Sequence, residues 1–199
     1  MFKTLKKVNT DSENNSCNSS NVLGFWIYIM SDCVLFSILF ATYAVLCKNF
    51  AVGPTGKELF NLPFILIETF VLLVSSFMIG ISIFYMQKKN KIKTIIYLLL
   101  TIILGTIFVS LESIEFHHFI NKGATPNMSA FLSAFFTLVG THCIHVIIGI
   151  FWGIILIIKL YHCDFKKNNT GLICLSLFWH FLHIIWICVF TIIYLMGVI

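Results

Sequence analysis

The side chains with chemistry to offer in this 199-residue sequence are few: eight acids and seven histidines. Asp32, Glu68, Glu112, Glu115, His142, His145, His180 and His183 all fall inside long apolar runs, where an ionisable group costs a few kcal/mol and marks a partner or a function. The histidines form two i, i+3 pairs, His142 with His145 and His180 with His183, so each pair shares one helix face. Glu112 and Glu115 share a face as well, with His117 and His118 directly after them. Glu115 to His118 spells the E-x-x-H of di-iron carboxylate bundles, but those bundles need two such motifs and two further glutamates, and a second motif is missing. Haem is the other metal chemistry to weigh. Two haems stacked across a bilayer require histidines near both sides, whereas His142 and His145 lie only about 4.5 Å apart along a helix axis at 1.5 Å per residue. They could serve one haem, with His180 opposite. The plainer alternative is mutual satisfaction across helices, because imidazole both donates and accepts. Asp32 is open between a paired structural acid and a proton-handling group, and His180, at similar depth, is its expected partner. None of these residues is assigned to catalysis or to a metal.

The elements that must position these groups follow from composition. Of the residues, 59% are hydrophobic and 11% charged, and mean hydropathy is +0.97; a soluble domain of this size is roughly a quarter charged. The thirteen basic residues are all lysine, so no guanidinium fork is available for guanine or carboxylate recognition. These features exclude a soluble enzyme, a disordered regulator and a nucleic-acid binder. Five continuous apolar stretches, Val22–Cys47, Leu62–Met86, Thr94–Phe116, Ser129–Ile158 and Gly171–Val198, are each long enough to cross about 30 Å of hydrocarbon as a helix. They show no strand-like alternation. The expected fold is therefore all-α: one integral membrane bundle of five transmembrane helices over 22–199, preceded by a polar, disordered tail over 1–21. The tail does not read as a cleavable signal peptide.

Lysine placement orients the bundle. Lys3, Lys6, Lys7, Lys88, Lys89, Lys91, Lys93, Lys159, Lys166 and Lys167 fall on one side, against Lys48, Lys57 and Lys122 on the other. The excess of positive charge on cytoplasmic loops puts the N-terminus in the cytoplasm and the C-terminus outside. The seven cysteines contain no C-x-x-C pair, which argues against a disulfide framework or a zinc site. Gly140, Gly149 and Gly153 mark the fourth helix as close-packing, and at least some of the four tryptophans should pack between helices.

Several long motifs, in order, then carry a resemblance. They are GFWIYIMSDCVLFSILFATYAVL from Gly24, GPTG from Gly53, LPFILIETFVLLVSS from Leu62, ESIEFHH from Glu112, SAFFTLVGTHCIHVIIG from Ser133 and SLFWHFLHIIWICVFTIIYLMG from Ser176. From Gly24 onward the chain resembles subunit III of the haem–copper respiratory oxidases, most closely the ubiquinol-oxidising cytochrome o branch, which has five helices where the cytochrome c oxidases have seven. The resemblance implies a complex in the bacterial cytoplasmic (inner) membrane that oxidises ubiquinol, reduces oxygen to water and pumps protons. It places haem and copper in subunit I and no cofactor in this chain. It further implies subunits I, II and IV as partners, phospholipids held in a V-shaped cleft, and a role in assembly, sustained turnover and proton uptake. Asp32 matches the family's intramembrane carboxylate, Glu115 the third-span acid, His142 and His145 the paired histidines, and Trp179 and His180 the W-H of the last helix. His183 stands where the family usually has Asp. The candidate lipid or subunit contacts are thus Asp32, Glu68, Glu112, Glu115, His142, His145, Trp179, His180 and His183, with a quinol-oxidising haem b anchor as the alternative function.

Overall fold

The computed structural model describes residues 2–46, 62–121, 123, 129–162 and 169–195. Within them the chain forms five long helices and no strand: α1 Phe2–Leu46, α2 Leu62–Gln87, α3 Lys91–Asn121, α4 Ala130–His162 and α5 Asn169–Val189, whose end widens into a π-helical turn over Phe190–Leu195. Each carries a segment long and apolar enough to cross a membrane. The first of these helices does not start at Val22 but extends through the polar stretch to Phe2. No glycine or proline interrupts the chain before Gly24, so nothing in the backbone forces a helix to stop there. The connections containing Gly53–Gly56 and Pro126 lie outside the described residues.

Helix is imposed by the solvent, because in hydrocarbon each backbone N–H and C=O must be satisfied within its own segment. The ends are set by local chemistry. Between α2 and α3 the chain reverses over Lys88–Asn90, with Lys89 at φ 59°. The amides of Lys88, Lys89 and Asn90 donate back to the carbonyls of Phe84, Met86 and Tyr85 at 3.2, 2.9 and 3.1 Å, covering acceptors that a helix C-terminus leaves open. Asn90 then precedes the first turn of α3, and its carbonyl accepts from both the amide and the hydroxyl of Thr94. At the start of α4, Ser129 Oγ accepts from the Leu132 amide at 3.4 Å, the usual role of serine at an N-cap.

The tight reversal makes α2 and α3 an antiparallel hairpin with the most extensive helix interface in the bundle. Two hydroxyls stitch it: Ser75 donates to the Thr101 carbonyl at 3.3 Å and Ser82 to the Thr94 carbonyl at 3.1 Å. Helix α5 lies innermost, its span 56% buried and in contact with α1, α2 and α4, whereas the span of α1 is only 11% buried. What α1 does bury is a narrow stripe, Ile29, Asp32, Phe36 and Tyr43, at the near-3.5-residue repeat of a coiled-coil seam.

Glycines let α5 approach its neighbours. The indole of Trp179 sits in a notch floored by Gly105 of α3 and Gly149 of α4; a Cβ on Gly105 would meet Trp179 Cη2 and Cζ2 at 2.9 Å. Gly153 holds Ile102 in the same way, with an added Cβ 3.0 Å from its Cδ1. Gly140 differs from the sequence expectation: it has no heavy atom within 4 Å of a Cβ position, because it looks away from the helix interface. Gly105→Ala should therefore destabilise the bundle by about 1–3 kcal/mol, while Gly140→Ala should be neutral or slightly stabilising. Thermal unfolding in detergent measures both, and equal melting temperatures for the two variants would contradict the notch.

Candidate functional site

The polar groups gather in the interior rather than in an open cleft. On the narrow buried stripe of α1, the Asp32 carboxylate lies 3.6 Å from His145 Nε2 on α4. The other ring nitrogen, Nδ1, is 2.8 Å from the Thr141 carbonyl one turn earlier. That contact fixes which way the ring faces, since a carbonyl can only accept and Nδ1 must carry the proton. Tyr28, one turn before Asp32, also approaches the carboxylate. Phe36 closes the site from the next turn of α1, its ring centroid 5.3 Å from that of His145 and 6.4 Å from that of His142.

His142 is more deeply enclosed. It is 0% exposed, stacked on Trp186 of α5 at 5.2 Å and edge-on to Phe108 of α3 at 6.0 Å. Neither of its ring nitrogens has a hydrogen-bond partner among the described residues. Trp186 is itself anchored, donating from Nε1 to Thr69 Oγ1 at 3.1 Å. Nearly two turns further along α2, Trp179 Nε1 donates to Ser75 Oγ at 2.9 Å, and the Ser75 hydroxyl in turn donates to the Thr101 carbonyl. One short chain of hydrogen bonds thus joins α5, α2 and α3.

Two further groupings lie outside this spine. Glu68 of α2 meets Glu112 and Glu115 of α3, with one carboxylate oxygen from each within 4.8 Å of the others. All three side chains are buried. On the opposite flank, His183 Nδ1 is 3.4 Å from Ser76 Oγ, and His180 opens into an apolar groove of about 470 Å³ between α2 and α5 lined also by Leu73, Phe77, Gly80 and Phe84.

The sequence placed each of these residues at a sensible depth but mispaired two of them. Asp32 was expected to reach His180; its partner is His145, because the buried stripe of α1 packs on α4 at that level while His180 faces the α2 side of α5. The two histidine pairs were expected to satisfy one another, yet no hydrogen bond joins them among the described residues: His145 turns to α1 and His183 to α2. Trp179 and Trp186 are buried as expected of helix-packing tryptophans. Missed altogether were Thr69, Ser75 and Ser76, the hydroxyls that receive the indoles and the imidazole. Their clustering in a single apolar helix was the available signal. The meeting of Glu68 with Glu112 was also readable, since they stand roughly equal distances either side of the Lys88–Asn90 reversal, and antiparallel helices bring such positions to one depth.

The sequence matches the family model described as cytochrome c oxidase subunit III over residues 7–198. Among curated relatives, the chain is 51% identical to the cytochrome bo(3) ubiquinol oxidase subunit 3 of Pseudomonas aeruginosa, across 89% of this chain and 86% of that one. It is 46% identical to the protein of the same name from Buchnera aphidicola subsp. Baizongia pistaciae, covering 91% and 94%. The quinol oxidase subunit 3 of Bacillus spizizenii is 44% identical, covering 89% and 87%.

The pairing of Asp32 with His145 generates a graded expectation. Asp32→Leu removes the ion-pair partner and leaves the half-buried His145 Nε2 unmatched, at a cost of about 1–3 kcal/mol. Asp32→Asn keeps shape and hydrogen-bonding atoms and should cost less than half as much. Melting of the two variants in detergent reads the difference; equal losses would mean that the contact contributes nothing beyond packing.

Proposed function

Because the chain belongs to the cytochrome c oxidase subunit III family, we propose that it is the non-catalytic third subunit of a proton-pumping ubiquinol oxidase in a bacterial cytoplasmic membrane. The relatives whose printed names are ubiquinol oxidase subunit 3 support the electron donor. One structural observation supports the non-catalytic role: the intramembrane polar groups are mostly spent on holding helices together. Asp32 is turned to His145, Trp179 to Ser75, Trp186 to Thr69 and His183 to Ser76. The outward faces are left apolar, with Leu23, Ile27, Met30, Val34 and Ile38 of α1 all exposed. Such a surface suits acyl chains and the helices of neighbouring subunits. In this reading subunits I, II and IV are the partners, haem and copper reside in subunit I, and the bundle holds phospholipids against the catalytic subunit to sustain its turnover.

A haem-binding anchor fits the residues less well. The ring face of His142 is already occupied by Trp186, His145 is engaged at both nitrogens, and His180 opens on a different flank of the bundle. Among the described residues, these histidines do not face one another across a space that a porphyrin could fill.

Orientation follows from charge at the α2–α3 reversal. Lys88 lies over the Phe84 ring at 4.3 Å and Lys93 over the Tyr85 ring at 5.1 Å, with Tyr85 stacked on Tyr97. Lysines resting on aromatic rings at a helix end are the arrangement of a membrane–water boundary, and the lysine excess on that side supports a cytoplasmic N-terminus and a periplasmic C-terminus.

Two experiments test this reading. The oxidase purified without this chain should keep its full haem and copper content and an initial oxygen-uptake rate within about threefold of the intact complex, a change of under 1 kcal/mol in barrier, yet lose activity sooner during sustained turnover. Loss of haem in proportion to the missing chain would contradict it. Separately, alkaline phosphatase fused after Ile199 should be active and the same enzyme fused in the Lys88–Asn90 reversal inactive; the opposite pattern would invert the topology.

A further inference from the structure

We propose that Glu68, Glu112 and Glu115 form a binding site for a calcium-sized cation, held between α2 and α3 inside the bundle. Three observations converge on it. The first is donor geometry: one oxygen from each carboxylate lies within 4.8 Å of the other two. Calcium–oxygen bonds of about 2.3–2.6 Å place opposite ligands up to about 5 Å apart, so the separations here are within what one such ion spans. One calcium-sized ion among the three carboxylates can touch all of them.

The second observation is burial without a partner. Glu68 is 0% and Glu112 1% exposed, and their four carboxylate oxygens have no hydrogen-bond partner beyond each other among the described residues. Buried acceptors in that condition are uncommon and call for a ligand. Glu68 comes from a different helix than the other two, so its aim into the pair on α3 is a tertiary arrangement and not an accident of i, i+3 spacing.

The third is charge. No lysine or histidine pairs with Glu68 or Glu112 among the described residues, and the thiol of Cys143 on α4, which lies near both, brings no positive charge. His145 and His183 are turned to other partners, His180 opens on another flank, and His142 is stacked between Phe108 and Trp186. An all-oxygen, three-carboxylate donor set is the kind that hard cations prefer, and it lacks the thiolate or imidazole ligands that zinc, copper or iron would select. Failure of this site would leave the subunit III reading intact.

The test uses the whole oxidase complex. Wild type, Glu112→Gln and Glu68→Gln complexes are equilibrated with calcium chloride and passed through metal-free buffer, and calcium is counted by mass spectrometry against haem as the internal standard. The wild type should carry one calcium per complex more than either variant, at unchanged haem content. Equal calcium in all three, or none in the wild type, overturns the proposal. Should the variants fail to assemble, the wild type supplies an independent readout. Its melting temperature should rise between EGTA and added calcium, as for any ligand that binds only the folded state, and an unchanged melting temperature would contradict the site.

Discussion

Hydrocarbon offers no hydrogen bonds, and the arrangement of this protein follows from that single constraint. A polar atom carried into the membrane is costly unless it finds a partner within the bundle or on its own backbone. Much of the demand is met locally. Thr42, Ser110, Ser113, Thr137, Thr141 and Thr191 each donate to the carbonyl four residues back, at 2.7–2.8 Å, so exposed hydroxyls ask nothing of the lipid. The groups that cannot be satisfied locally are the indoles, the imidazoles and the carboxylates. These reach between helices, and in doing so they determine which helices touch.

Apolar contact alone discriminates poorly between helix arrangements here, because a lipid tail is as good a neighbour for leucine as another leucine. Specificity therefore falls to shape and to polar pairing. Trp179 illustrates both. Its ring occupies the glycine notch of α3 and α4 while its N–H is bound by Ser75 of α2, so one side chain registers α5 against three neighbours at once. Helix α1 is the contrasting case. It buries little and makes its contact along one stripe, so the Asp32–His145 pair carries a larger share of its attachment than any polar pair does for α5. A helix held so lightly and so apolar on its outer face is well suited to lie against lipid or a neighbouring subunit.

Much of this was legible in the residues. The five spans, the helical class and the depth of each ionisable group follow from run length and a fixed rise per residue, both of which are local properties. The pairing of Asp32 was not legible, because depth constrains a residue to a layer but says nothing of its azimuth within that layer. His145 and His180 occupy similar layers, and only the direction in which α1 packs separates them. The role of Gly140 was not legible for the same reason. Gly149 and Gly153 face neighbouring side chains, Gly140 on the same helix does not, and Gly105, unremarked in the sequence, floors the tryptophan notch. The hydroxyls of α2 were passed over because serine and threonine in an apolar helix usually satisfy themselves, as Thr69 does toward Ile65 even while accepting from Trp186.

If intramembrane polar groups here serve first to fix helix positions, then Asp32 and His145 must be energetically coupled. A double-mutant cycle measures that coupling directly: thermal unfolding of the wild type, Asp32→Leu, His145→Leu and the double variant in the same detergent. The account predicts that the double variant loses less stability than the two single losses combined, by an interaction energy above about 0.5 kcal/mol, the level at which contacting residues depart from additivity. Strict additivity of the two substitutions would contradict it.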